Sequence, residues 1–313
     1  MIYHEPVLLK ESIEFLNLKK DGIYVDATLG GGGHAEAMLR NSQIKQVYAF
    51  DQDIDAIGFA TERLNKYRNK LTMIKSNFEE MRTQLALHRV SGIDGILFDL
   101  GVSSYQINDA GRGFSFDKEA ELDMRMDKQN ETIAKDILKS LSVEELAKIF
   151  RELGEEQAAY KIALWIDAER KIKPIQTTQD LARIIEKNMR SNPVLVIKTK
   201  ARIFQAIRIY INRELEVLDT AMEDAVNLLN QNGRLVAITY HSLEDKIVKT
   251  KINDAAKGCI CPPTILKCMC NQKPRVKILT NKIVKPSEGE IQINRRARSA
   301  KLRAVEKLPG GLR

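Results

Sequence analysis

The sequence predicts an α/β fold, a parallel sheet wound with helices, into which an all-helical domain is inserted. Three observations predict it. Short apolar runs alternate with amphipathic stretches over the first hundred residues, a helix-only region follows, and a strand signal returns late in the chain. At 313 residues, 43% of them apolar, the chain is long enough for two domains.

The first run, 22–28 (Gly-Ile-Tyr-Val-Asp-Ala-Thr), and the second, 46–51 (Gln-Val-Tyr-Ala-Phe-Asp), have the length and β-branched content of buried strands. Residues 71–75 and 93–99 continue the series, and helical spacing of apolar residues marks 34–41, 55–67 and 78–90 between them. That βαβα order implies parallel strands joined by right-handed crossovers. From about 132 to 189 only helices are expected, with a capping-box pattern at Ser142-Val-Glu-Glu and another helix start at Thr178. One long helix is expected over 203–229, then a fifth strand over 233–240. The expected domains are therefore 1–107 with 200–313, and an inserted helical domain over 108–199.

No stretch holds 18 consecutive apolar residues, and the start of the chain lacks the apolar region of a signal peptide, so a cytoplasmic location without a membrane partner is expected. Charge is uneven. From Asp245 onward there are 17 Lys and Arg against 5 Asp and Glu, whereas the residues before it hold 33 against 37. A basic end on a mildly acidic body fits contact with a polyanion, and equally a merely soluble surface.

Gly30–Gly33 follows the first strand and precedes a helix, so backbone can approach a ligand at the carboxyl end of the sheet. A tight turn uses the same glycines. Asp51 ends the second strand 18 residues after Gly33, where an acid can accept both hydroxyls of a ribose. Asp26 ends the first strand just before the glycines, where its charge would repel a diphosphate and attract an ammonium group. The pair of acids favours S-adenosylmethionine, which has no phosphate, over NAD. An NAD-dependent oxidoreductase and a donor-binding regulator without turnover are the competing readings.

The segments His4-Glu-Pro-Val-Leu-Leu-Lys-Glu11, Asp26-Ala-Thr-Leu-Gly-Gly-Gly-Gly-His34, Asp99-Leu-Gly-Val-Ser-Ser-Tyr-Gln106, Arg112-Gly-Phe-Ser-Phe116, Leu122-Asp-Met-Arg-Met-Asp127, Phe204-Gln-Ala-Ile-Arg-Ile209, His241-Ser-Leu-Glu-Asp245 and Arg296-Ala-Arg-Ser-Ala-Lys-Leu-Arg303 together resemble the bacterial ribosomal RNA small subunit methyltransferase H family. The resemblance spans almost the whole chain. It implies a class I (Rossmann-like) S-adenosylmethionine-dependent methyltransferase with an inserted helical domain, acting on the N4 amine of a cytidine in the decoding region of 16S ribosomal RNA. It implies cofactor contacts by Gly32, Gly33, His34, Asp51, Phe78, Asp99 and Gln106, to which the reading of the strand end adds Asp26. The partner it implies is small-subunit ribosomal RNA or the ribosomal subunit; oligomeric state stays open.

For chemistry at the amine, Asp99 and His241 are the candidates. Related amine methyltransferases carry an Asp- or Asn-Pro-Pro-aromatic segment after the fourth strand, whereas this chain has Asp99-Leu-Gly-Val, so Asp99 is divided between donor and amine contact. His241 can accept a proton, stack on a base or cap the following helix. The family commonly has Phe at Tyr240. Asp123 and Asp127 are open as partners of Arg125 or Arg112. Arg295, Arg296, Arg298, Lys301 and Arg303 form a basic cluster suited to RNA phosphates or to pinning the tail. Cys259, Cys261, Cys268 and Cys270 form two C-x-C pairs that suit either zinc or reduced thiols, with a spacing tighter than most structural zinc sites.

Overall fold

The computed structural model describes residues 6–189, 192–259, 261, 269, 270 and 272–310. Along the chain run α1 (Leu9–Leu16), β1 (Ile23–Asp26), α2 (Gly33–Leu39), β2 (Gln46–Asp51), α3 (Ile54–Leu64), β3 (Leu71–Lys75), α4 (Met81–Leu87), β4 (Ile93–Asp99) and α5 (Ser104–Asn108). There follow α6 (Ala134–Ser140), α7 (Val143–Glu152), α8 (Ala159–Arg170), α9 (Thr178–Asn188), α10 (Pro193–Asn212), α11 (Glu214–Leu228), β5 (Leu229–Thr239), α12 (Ser242–Ala256), β6 (Val276–Ile278), α13 (Glu288–Ile293) and β7 (Lys301–Lys307). The chain divides into two compact units, Met1–Gly101 with Leu215–Arg313, and Val102–Glu214. The division falls at 101/102 and 214/215 rather than at 107/108 and 199/200. Helix α10 belongs with the second unit because Ile203, Phe204, Ala206 and Ile207 lie in that unit's core.

The first unit is built on a seven-stranded sheet of order β3-β2-β1-β4-β5-β7-β6. Strands β1 to β5 pair in parallel, and β7 runs antiparallel between β5 and β6. Both faces are covered, which is why β4 reads as a nearly continuous apolar run. Val25, Phe50, Ile96 and Phe98 share a core cluster with residues of α4, α11 and α12 on one face, while Tyr24, Val47, Ala49 and Leu97 share one with residues of α1, α2 and α3 on the other. The parallel order β3-β2-β1-β4-β5 with helices on both faces is that of a Rossmann-like sheet. No helix among the described residues is long and apolar enough to cross a membrane.

In the second unit, Leu146, Phe150, Ile162, Ile166, Leu181 and Ile185 bury the apolar faces of α7, α8 and α9. The capping box at Ser142 and Glu145 forms, and α9 begins at Thr178 as expected, capped by Thr177 with Asp180. The helix expected over 203–229 is two helices, because Arg213 takes a left-handed conformation with φ 51° between α10 and α11. The segment 122–127 is tied down from within the unit. Arg112 donates to the carbonyls of Arg125 and Met126, Asn212 bonds Met124 and Met126, and Asp123 holds Arg125 through both carboxylate oxygens. Asp127 accepts from the Gln129 amide.

Gly113 gives the sharpest local test of this packing. Its φ is +70°, and a Cβ there would overlap the Glu121 carbonyl oxygen and lie 3.0 Å from the Asp123 nitrogen. Gly113→Ala is expected to cost about 3 kcal/mol and to lower Tm by roughly 5–10 °C. Gly58→Ala, inside α3 with nothing within 4 Å of the added carbon, is expected to raise stability by roughly 0.5–1 kcal/mol. Calorimetric melting of the two variants beside the parent chain checks both.

Candidate active site

Three aspartates gather at the carboxyl ends of three adjacent strands of the first unit. Asp26 is in register with Ala49 of β2 and Leu97 of β4. Side chains alternate along a strand with a period of two, so Asp51 and Asp99, each two residues further, face the same side of the sheet as Asp26. The charges are close enough that Asp99 and Asp51 each raise the proton affinity of Asp26. Open α/β sheets bind ligands at this edge.

The glycine loop lies over the row and is fastened to it. Gly30 donates its amide to Asp51 Oδ2 at 2.8 Å, and Asp53 donates to Asp51 Oδ1 at 2.8 Å. Gly30 and Gly32 have φ of 48° and 74°, and a Cβ on Gly32 would come within 2.9 Å of Leu64 Cδ1. Gly33 opens α2 against Pro6, where an added Cβ would lie 2.9 Å from the ring. These are positions that only glycine fills without strain. From outside, Arg63 donates to the Gly31 carbonyl at 3.0 Å and pairs with Glu36 at 2.8 Å.

His34, in the first turn of α2, places its Nε2 3.1 Å from the Val7 carbonyl. With Nε2–H donated there, Nδ1 faces Asp99 Oδ2 at 3.6 Å. Burial pushes the imidazole below its usual pKa, which leaves it neutral near pH 7. Asp99 is held from two more directions. Its amide donates to Thr28 Oγ1 at 2.7 Å, and the Tyr240 hydroxyl donates to its Oδ1 at 2.6 Å. Thr28, Arg63 and the Tyr240–Asp99 bond were not legible as site features; the last joins residues 141 positions apart.

Burial pushes all three carboxyls up, Asp26 and Asp51 to about 6 and Asp99 to about 7. No Lys or Arg of the described residues pairs with them, and Asp26 Oδ2, fully buried, has no hydrogen-bond partner there. A buried anionic row of this kind stabilises a cationic ligand and repels a phosphate. The methionine part of S-adenosylmethionine brings an ammonium and a sulfonium, so these residues fit it.

A pH dependence follows. An acid whose folded pKa is raised holds its proton more tightly folded than unfolded. Its contribution to stability is therefore fully present below 3.8, the unfolded value, and is lost as pH rises through 6 to 7. A cationic donor binds the ionised row and releases those protons. Affinity for S-adenosylmethionine is thus expected to rise between roughly pH 5.5 and 7.5, with net proton release. Calorimetry in two buffers of different ionisation heat measures this, and proton uptake would contradict it.

The other expected site residues are placed as follows. Phe78, half-buried after β3, packs edge-on against Phe98 with ring centroids 5.6 Å apart. Gln106 lies in the second unit, where its Oε1 accepts from the Ser103 amide in a capping box. His241 caps α12: its Nδ1 is 3.5 Å from the Glu244 amide, and its buried Nε2 lies 3.1 Å from Glu244 Oε1 without a hydrogen bond. Of the basic cluster, Arg295 and Arg298 are exposed on the turn Arg295–Ser299, and Arg296 is half-buried. Arg303 grips Asp245 at 2.7 and 3.2 Å, and Lys301 reaches the same carboxylate at 3.3 Å. Cys259, Cys261 and Cys270 come together, and Cys268 lies outside the described residues.

Comparison with known proteins agrees with this geometry. The family model described as the MraW methylase family matches residues 1–308. A Finegoldia magna protein named ribosomal RNA small subunit methyltransferase H is 45% identical over 307 residues, covering 97% of this chain and 98% of its own length. Proteins of the same name from Clostridium botulinum (strain Loch Maree) and Carboxydothermus hydrogenoformans are each 46% identical, over 306 and 308 residues, with 97% of this chain covered in both cases and 99% and 98% of theirs. A sheet of this order, an anionic ligand edge beneath a glycine loop and a match over nearly the whole length lead to one assignment: the chain belongs to the MraW methylase family and is a methyltransferase that takes its methyl group from S-adenosylmethionine.

Proposed function

We propose that the chain methylates the N4 amine of one cytidine in the decoding region of 16S ribosomal RNA. The observation that carries the reading is the buried row of Asp26, Asp51 and Asp99 on one face of the sheet beside Gly30–Gly33. The near-full-length relatives named for ribosomal RNA methylation support the substrate class.

In this reading Asp51 accepts the ribose hydroxyls, and the unpartnered Oδ2 of Asp26 faces the donor's ammonium. Gly32, Gly33 and His34 line the loop, and Phe78 packs on the adenine. S-adenosylmethionine supplies an electrophilic methyl carbon when bound. The chain's own residues position the attacking nitrogen in line and relieve it of a proton. Asp99 suits the second of these roles, because Tyr240 occupies Oδ1, which leaves Oδ2 to accept an N–H of the amine, and a pKa of about 7 suits a proton acceptor. His241 is committed to its helix cap, with its buried Nε2 turned to Glu244 Oε1.

The cytosine must leave its stack, at a cost of a few kcal/mol that phosphate contacts offset. Arg295 and Arg298 are the exposed members of the basic cluster and carry that proposal, together with Arg296, Lys301 and Arg303 beside them. Unmethylated small subunits incubated with labelled S-adenosylmethionine, digested to nucleosides and analysed by mass spectrometry, test the reading. N4-methylcytidine is expected; label on another atom or on no RNA would overturn it.

A further inference from the structure

The connection between α12 and β6 is anchored at its feet. The Arg275 amide donates to the Ala255 carbonyl at 2.8 Å, and the Arg275 guanidinium grips Glu223. Further out, three sulfurs converge. The Sγ atoms of Cys259, Cys261 and Cys270 all lie within 4.8 Å of one another, and none of the three is in a disulfide.

Two distances show what this convergence suits. Cys259 and Cys270 have their sulfurs 3.7 Å apart. A zinc–sulfur bond of about 2.3 Å sets the edge of a tetrahedron of sulfurs at roughly 3.8 Å, whereas a disulfide needs about 2.05 Å. Two backbone amides also point at sulfur: Cys261 donates to Cys259 Sγ at 3.4 Å, and Met269 donates to Cys261 Sγ at 3.4 Å. Amide donors to sulfur stabilise thiolate charge and orient the sulfurs as ligands. A two-cysteine redox switch would leave the third sulfur and its amide without a role.

We infer that Cys259, Cys261 and Cys270 bind one zinc ion as thiolates, a structural site apart from the methyl-donor site. Each thiol that coordinates releases its proton, and no electron changes hands. Three soft sulfur ligands select zinc over magnesium or calcium, and the fourth position of the tetrahedron falls to a donor other than these three. The C-x-C spacing by itself is a weak sign of a metal, because pairs in structural sites are usually further apart in sequence. Here the two pairs each supply ligands to one centre, with Cys259 and Cys261 from the first and Cys270 from the second.

The test uses the full chain, purified without chelator under reducing conditions, with metal measured by mass spectrometry. About one zinc per chain is expected, and cobalt in its place should give a thiolate-to-metal charge-transfer band. Cys259→Ser and Cys270→Ser should each weaken zinc binding by more than roughly 100-fold while S-adenosylmethionine still binds. Retained donor binding shows that a variant is folded. Less than a tenth of a zinc per chain after reconstitution, cobalt binding without the charge-transfer band, or a Cys259–Cys270 disulfide in protein from freshly trapped cells would overturn the inference.

Discussion

Asp51→Ala is expected to weaken binding of S-adenosylmethionine by roughly 100-fold or more, with little change in Tm. The carboxylate acts in two ways. It fastens the glycine loop through Gly30 and the start of α3 through Asp53, and it offers charged acceptors to the ribose. A hydrogen bond to a charged group contributes about 1.5–3 kcal/mol, so losing ligand contact and loop position together costs about 3 kcal/mol or more. Burial already pushes this carboxyl up to about 6, so removing its charge relieves a desolvation cost in the donor-free protein. Asp51→Asn keeps one acceptor oxygen and should fall between the two, near tenfold. Titration calorimetry beside a melting curve separates the binding effect from misfolding. An unchanged Kd in Asp51→Ala would remove Asp51 from the site.

Asp99→Asn should lower kcat/KM for methyl transfer by on the order of 100-fold to 1000-fold, the range of a positioned proton acceptor. Asparagine still accepts the Tyr240 hydroxyl through its oxygen, so the surroundings of Asp99 are kept. Single-turnover rates beside donor Kd show where the loss falls: in the rate for a contact to the amine, in Kd for a contact to the donor. Tyr240→Phe complements it. The hydroxyl donates to Asp99 and lowers its pKa; removing it raises that pKa from about 7. The acid limb of the rate profile should therefore move to higher pH, with activity falling more near pH 6.5 than near pH 8.5. A parallel drop at both would mean that the bond only orders the strand end.

The first four strands, and the acids that end β1, β2 and β4, were legible because a parallel sheet covered on both faces forces apolar runs with polar residues at their ends. Strand β7 was not read as one. Its Lys301, Arg303 and Glu306 give the segment the look of a basic surface stripe, although Leu302, Ala304 and Val305 are buried between them. The break at Arg213 was also hidden, since one left-handed residue leaves the apolar periodicity of α10 and α11 nearly continuous. Contacts between distant residues are a different matter. Tyr240 on Asp99 and Arg303 on Asp245 depend on which elements become neighbours, and Cys259 meets Cys270 across 11 positions. Spacing alone carries none of that.

Competition at pH 7.5 between S-adenosylmethionine and NAD for the donor-free protein, followed by calorimetry, asks directly whether charge at the sheet edge selects the ligand. A row of buried carboxylates beneath the glycine loop predicts tight binding of the phosphate-free cation and no displacement of it by NAD. Binding of NAD as tight as that of S-adenosylmethionine would contradict the claim that Asp26, Asp51 and Asp99 select the ligand by charge.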